Sequence, residues 1–190
     1  VALFDPAHPR EKPCGGGVTR RALAYLASTP DQSDVLRGVP TVRVSTARFT
    51  DTRQGTSTTV PLAQHPTPSL IVASRAAFDS ALLASAHAHG AVLFRSRIAD
   101  VQRTRPGFVV HAADGQTWTA AAVVGADGPN SLVRRRLLRP FRRDQLSIAT
   151  GFFAHGVSSD EIVIEITADP PGYIWSFPRP DHLAIGVCAQ

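Results

Sequence analysis

Three short stretches place reactive or ligand-facing residue types at spacings that could support chemistry. In Cys14-Gly15-Gly16-Gly17 a thiol stands directly before three glycines. Gly loses more backbone freedom on folding than any other residue, so a triplet is costly unless the backbone must approach something closely. In VVGADGPNSLVRR, residues 123–135, an apolar run leads into Asp127 and Gly128, and a basic helical pattern follows. Ligands of α/β sheets collect at the carboxyl ends of strands. The first N–H groups of a helix are donors for phosphate or hydroxyl oxygens. Asp127, with Gly125 and Gly128 beside it, therefore marks a candidate ligand turn. In PPGYIWSFP, Tyr173, Trp175 and Phe177 alternate and would share one face of a strand. Such a wall suits an apolar ligand or the protein's own core. Two single residues join them: Asp5, which ends the apolar run VALF, and Arg75, which opens the helical pattern RAAFDSALLASAHAHGA. Asp79 lies four residues after Arg75 and could pair with it on the helix surface.

The elements that must position these residues follow from periodicity. Residues 1–4 read as a buried strand closed by Asp5-Pro6. A helix is expected over 18–27, with Val18, Ala22, Leu23 and Leu26 on one side and a stop near Pro30. Residues 41–50 alternate like a strand, 56–62 suit a partner, and the loop AQHPTP follows at 63–68. Another short strand is expected at 70–73. Ser74 is placed to cap a helix over 75–89, and Gly90 to end it. A strand over 91–94 follows, then a meander over 98–103, 108–112 and 117–121, with turns at Pro106-Gly107 and Asp114-Gly115. Residues 123–126 read as a buried strand and 131–138 as a helix. Four more strands are expected over 146–155, 162–167, 172–177 and 182–187.

Composition narrows the function classes. The chain has 190 residues, 43% of them hydrophobic and 18% charged, which is globular rather than disordered. No apolar run approaches the roughly 18 residues of a membrane helix, and no secretory leader pattern opens the chain. The absence of Met and the strand-like start predict a fragment that has lost a preceding segment. Net charge is +5, almost all from arginine, because Lys12 is the only lysine. The densest cluster, RRRLLRPFRR at 134–143, lacks the interleaved aromatics or a motif of a nucleic-acid reader, so nucleic acid is not expected as a partner. A solvated helix face, or contact with an anionic lipid or diphosphate, remains. Cys14 and Cys188 lack metal spacing and no disulfide framework is expected. The seven histidines are scattered, and His87 and His89 point to different helix faces, so no metal site is expected.

The segment GADGPNS resembles the G-D/A-D-G motif of flavoprotein hydroxylases and geranylgeranyl reductases, where the Asp contacts the ribityl part of FAD. LFDP resembles the end of the second Rossmann strand of that superfamily, which makes Asp5 the acid on the adenosine ribose. Arg75 resembles the Arg that opens the corresponding helix and faces the cofactor. KPCGGGV is similar to the K-P-C-G-G-G motif of geranylgeranyl reductases, a loop near the flavin ring and the substrate channel. By that match Cys14, with Gly15, Gly16 and Gly17, sits near the reacting centre as a proton donor, a redox thiol or a small packing residue. The Tyr173 segment resembles the family's Y-x-W-x-F-P followed by G-x-G, with Cys188 in place of the second Gly. Flavin-dependent halogenases carry a related W-x-W-x-I-P segment. The G-x-G-x-x-G that opens family members, and their later G-D-A motif, are not found in these residues.

The resemblance implies an α/β fold: a partial Rossmann-like FAD-binding domain over 1–40 and 66–144, and an antiparallel β substrate-binding layer over 41–65 and 145–190. It implies hydride transfer from reduced FAD to an isoprenoid, geranylgeranyl-type double bond, with NAD(P)H or another reductant as electron source. Tyr173, Trp175 and Phe177 become the substrate wall, and Asp5, Arg75, Asp127 and Gly128 join the glycine triplet as cofactor residues. A cytoplasmic enzyme with peripheral membrane contact is the matching location. The alternatives are an FAD-dependent monooxygenase or halogenase, and a non-catalytic fragment or lipid-binding module.

Overall fold

The computed structural model describes residues 1–28, 35–62 and 70–189. The expected helix stop at Pro30 and the loop over 63–68 lie outside the described residues. In chain order the strands are β1 (Ala2–Phe4), β2 (Gly17–Thr19), β3 (Thr41–Arg43), β4 (Thr46–Asp51), β5 (Thr56–Pro61), β6 (Leu70–Ala73), β7 (Val92–Phe94), β8 (Ile98–Arg103), β9 (Phe108–Ala112), β10 (Thr117–Ala120), β11 (Ile148–His155), β12 (Glu161–Ala168), β13 (Pro171–Pro178) and β14 (His182–Ala189). The helices are α1 (Arg20–Ser28), α2 (Arg75–Ala88) and α3 (Leu132–Leu137). They fall into two compact units, Val1–His8 with His89–Leu146, and Pro9–Ala88 with Ser147–Gln190.

In the first unit β1 runs parallel to β7, pairing Leu3 with Leu93. Phe4 stacks on Phe94 at 5.2 Å, and the Trp118 indole meets both edge-on at 4.8 and 5.5 Å. Strands β8, β9 and β10 form the expected antiparallel meander. Their inward residues Val101, Val110 and Ala112 are buried. The basic helix α3 is tied to β8 by an ion pair from Arg136 Nε to Asp100 Oδ1 at 2.6 Å. Arg134 lies over the Phe141 ring at 3.9 Å, so part of the arginine cluster is spent on internal contacts.

One element expected here is absent. Residues 123–126 form no strand and pair with none among the described residues, and Val124 is 88% exposed. An apolar run alone does not make a strand; it needs a neighbour to take its backbone groups.

The second unit holds a three-stranded sheet, β2-β6-β3, and a six-stranded sheet, β11-β14-β13-β12-β4-β5. The larger sheet is antiparallel except where β12 runs parallel to β4. The core of the unit collects Val44, Ala47, Val72 and Ile162 from both sheets and the link between them, with Leu62, Leu70, Ile164 and Phe177 packed against them. Val72 is fully buried; a side chain of that size contributes about 1.5–3 kcal/mol on burial.

Two expected elements change shape. The strand over 41–50 is two strands in different sheets: β3 pairs with β6, and β4 pairs with β12 and β5. The switch falls at buried Val44 and at Ser45, whose N–H donates to Asp160 O at 2.9 Å while its carbonyl accepts from Leu62 N at 2.8 Å. The helix expected from Val18 starts at Arg20 instead. Val18 and Thr19 belong to β2, paired with Ile71 and Leu70. Both are β-branched and suit a strand. Thr19 Oγ1 then accepts from Ala22 N at 3.3 Å at the helix start.

Candidate functional site

The loop carrying Cys14 lies in the second unit and is fixed by charged side chains from three separate segments. Glu11 reaches the start of α2. Its carboxylate accepts from Ser74 Oγ at 2.5 Å, Arg75 N at 3.0 Å and Ala76 N at 3.2 Å. These are orphan donors of the first helical turn, and a carboxylate there also meets the positive end of the helix dipole. Ser74 caps as expected, accepting from Ala77 N at 3.3 Å. Burial pushes the Glu11 carboxyl up, but the bonds from Ser74, Arg75 and Ala76, with the Arg179 charge, outweigh it and hold the group below its ordinary value.

Asp79 forms the second knot. Arg75 donates to it twice, Nε to Oδ1 and Nη2 to Oδ2, both at 3.1 Å. Lys12 Nζ donates to Oδ2 at 2.8 Å. The expected pairing of Arg75 with Asp79 is present, yet it is no surface pair: the Asp79 side chain is only 6% exposed. Burial raises the Asp79 carboxyl, and the bonds from Arg75 and Lys12 more than reverse that. The remaining Arg75 nitrogen, Nη1, donates to Cys14 Sγ at 3.3 Å. The thiol is thereby oriented by the residue that opens α2.

Arg179 closes the loop from the other side. Its side chain has no exposed surface. It donates to Cys14 O through Nη2 at 2.7 Å and to Ala73 O through Nη1, and it lies 3.3 Å from Glu11 Oε1. Burial pulls the guanidinium down more than Glu11 and Cys14 lift it. Sequence reasoning missed Arg179, Glu11 and Lys12. The available signals were an arginine between two prolines, PRP, directly after the aromatic strand, and an acid and the only lysine directly before Pro13-Cys14.

The same contacts explain two of the three glycines. A Cβ on Gly15 would stand 2.7 Å from the Phe177 ring. One on Gly16, at φ +73°, would meet Ala73 O and stand 2.7 Å from the Arg179 guanidinium carbon. The close approach demanded at Gly15 and Gly16 is therefore to the protein itself. Gly17 is looser, 3.3 Å from the same ring.

The aromatic segment lies on β13 in register with β14, so Tyr173 faces Cys188, Trp175 faces Gly186 and Phe177 faces Ala184. Small residues oppose large ones. Trp175 is buried, and a Cβ on Gly186 would collide with its indole. Trp175 and Phe177 meet edge-on at 6.0 Å. Tyr173 is 41% exposed; burial of its oxygen and the neighbouring Cys188 push the phenol up.

Asp5, Asp127 and Gly128 belong to the first unit. Asp5 Oδ1 accepts from Ala7 N at 2.8 Å just past β1. Asp127 Oδ2 accepts from Leu132 N at 2.6 Å and Val133 N at 3.2 Å, while Ser131 Oγ accepts from Arg134 N at 2.9 Å. The N–H groups expected to stand free for phosphate at this helix are thus taken by the chain's own oxygens. Burial raises the Asp127 carboxyl, but hydrogen bonds from Ser131, Val133 and Leu132 hold it low. Gly128, at φ +81°, would project a Cβ into open space.

A probable FAD-dependent monooxygenase from Pseudomonas aeruginosa, PqsL, superposes with a TM-score of 0.71 over 99% of this chain and 53% of its own, at 18% identity. A geranylgeranyl bacteriochlorophyll reductase-like protein from Thermoplasma acidophilum gives 0.74 over 99% and 49%, at 20% identity. The flavin-dependent halogenase CmlS gives 0.70 over 99% and 36%, at 18% identity. The fold is shared with FAD-dependent enzymes. The chain spans about half the length of the first two. No family model and no curated relative matches it.

The residues present fit FAD in part. Residues 124–130 are exposed, so Asp127 and the backbone beside Gly128 are open to ligand hydroxyls. Asp5 ends a strand with its carboxylate at the surface turn, as a ribose acid requires. Arg75 and the glycine triplet face protein partners instead.

Proposed function

We propose that the chain is part of an FAD-dependent oxidoreductase that reduces isoprenoid carbon–carbon double bonds. The carrying observation is the Cys14 loop, whose thiol is held by Arg75 and whose backbone is held by buried Arg179. That loop reads as the reductase motif and sits in a fold that a geranylgeranyl reductase-like protein shares. Bound FAD, reduced by NAD(P)H or another reductant, would supply the hydride. The chain's residues would do the rest. Asp5 would hold ribose hydroxyls, and Asp127 with Gly128 the ribityl chain. Cys14 is fixed as a polar group beside a cationic guanidinium, where it could orient substrate or hand on a proton. Tyr173, on the exposed part of β13, would meet an apolar substrate, with Trp175 and Phe177 supporting the strand beneath it. An isoprenoid substrate would be met by peripheral membrane contact; among the described residues no helix is long and apolar enough to cross a membrane.

A monooxygenase or halogenase is the second reading, favoured by PqsL and CmlS among the structural neighbours. The product separates the two: a saturated isoprenoid, or an oxygenated or halogenated ring. The first experiment is the visible spectrum of the protein purified from its whole reading frame. A flavin spectrum that Asp127→Ala abolishes supports the oxidoreductase reading, and a folded colourless protein that FAD cannot reconstitute rejects it. Cys14→Ser in the flavin-loaded enzyme then tests the loop: reduction of a prenyl substrate should fall about a hundredfold or more, the low end of what one positioned proton-transfer group contributes.

A further inference from the structure

Away from the Cys14 loop, the end of β11 meets the start of β14. His155 and His182 are directly opposed residues of that antiparallel pair. Opposed residues carry their side chains on the same face, with Cβ atoms about 5 Å apart. The two imidazole rings stand 5.1 Å apart. Asp181 precedes β14 in the turn and bends back, placing Oδ1 2.7 Å from His182 Nδ1. One nitrogen from each His and one Asp181 oxygen all lie within 4.8 Å of one another. His155 and Asp181 are exposed, whereas the His182 side chain is 8% exposed and its Nε2 has no hydrogen-bond partner. Phe153 closes on the His182 ring edge-on at 5.0 Å and fixes its position.

We infer that His155, Asp181 and His182 form a binding site for one divalent transition-metal ion of the zinc class. Two imidazoles and a carboxylate match zinc, cobalt or nickel rather than calcium or magnesium, which prefer all-oxygen cages. Three protein ligands with water in the fourth position are a known zinc arrangement. The backbone ladder places both histidines opposite each other and the Phe153 contact fixes the His182 ring, so binding has only His155 and Asp181 left to order. Closing the donors from 4.8 Å onto one ion requires only rotation of exposed His155 and Asp181. The ion would clip the end of β11 to the start of β14. The two histidines are 27 residues apart in sequence, and strand pairing brings them together.

The test is titration of chelator-treated protein with Zn²⁺ by calorimetry, followed by Co²⁺ with visible absorption. The expected result is one equivalent bound with a Kd on the order of micromolar, and a cobalt spectrum showing tetrahedral ligation. His155→Ala and Asp181→Ala alter exposed residues and should keep the metal-free far-UV CD and thermal midpoint while weakening Zn²⁺ at least about tenfold. His182→Gln, a neutral replacement at the buried position, should weaken Zn²⁺ at least as much, with its fold checked by its own metal-free far-UV CD. No binding tighter than roughly 100 µM overturns the site. Tight binding that survives both His155→Ala and Asp181→Ala overturns it equally, because the ion then lies elsewhere. Flavin content plays no part in either readout.

Discussion

Helices α2 and α3 both begin under a carboxylate, and the two carboxylates arrive by different routes. At α3 the donor atoms of Leu132 and Val133 reach Asp127, five and six residues back. At α2 the donors of Arg75 and Ala76 reach Glu11, 64 and 65 residues back. The first arrangement is a local turn and stays at the surface. The second draws Lys12, Cys14, Asp79 and Arg179 together beside β6 and β13, with Arg179 and Asp79 buried. The same elementary demand, to satisfy orphan N–H groups, yields an exposed local turn in one place and a cross-linked anchor in the other. The glycines follow suit: Gly16 is pressed against Ala73 and Arg179, while Gly128 faces open space.

Substitution of the two glycines breaks this comparison most directly. Gly16→Ala should cost several kcal/mol or prevent folding, since it combines a collision with a positive φ. Gly128→Ala carries only the conformational cost, about 1 kcal/mol. Urea denaturation of both variants measures the gap, and equal losses would mean that the α2 anchor is not tightly packed.

Removal of Arg179 comes next. Arg179→Met should destabilise by about 3 kcal/mol, because Glu11 loses its countercharge and the carbonyls of Cys14 and Ala73 lose their donor. Asp127→Ala should cost only about 1 kcal/mol, the worth of a helix cap. Thermal midpoints at neutral pH read the difference.

The smallest effect is the acid response. The folded-state carboxyls of Glu11 and Asp79 lie below their ordinary values. Their stabilisation is therefore complete above the ordinary carboxylate range and is lost as pH falls through the depressed native values. Stability should be level near neutrality and decline below about pH 5. Asp79→Asn should flatten that decline more than Asp127→Asn, since Asp79 is buried between two cations and Asp127 is exposed. Denaturation midpoints across the acid range check the order.

Much of this molecule was legible one segment at a time. The meander over 98–120 announced itself through alternation and its Pro-Gly and Asp-Gly turns, and the four late strands did so through their apolar rhythm. Ser74 was readable as a cap because its partner is three residues away. Residues 123–126 misled for a related reason: an apolar run carries no information about whether a neighbouring strand exists. The break at Val44 was equally hidden, because it depends on which sheet receives each half.

The sequence by itself determined the residue types that could do chemistry, the periodicities of most elements, and the local turns at Asp5 and Asp127. The tertiary structure alone decided what those residues touch. It set Gly15 under Phe177, turned Arg75 onto Asp79 and Cys14, buried Arg179 between Glu11 and two carbonyls, and brought His155 opposite His182. The physical reason is range. Helix caps and turns are settled by dihedral preferences and hydrogen bonds within a few residues, whereas burial of a charge is tolerated only where partners converge from distant segments to replace water.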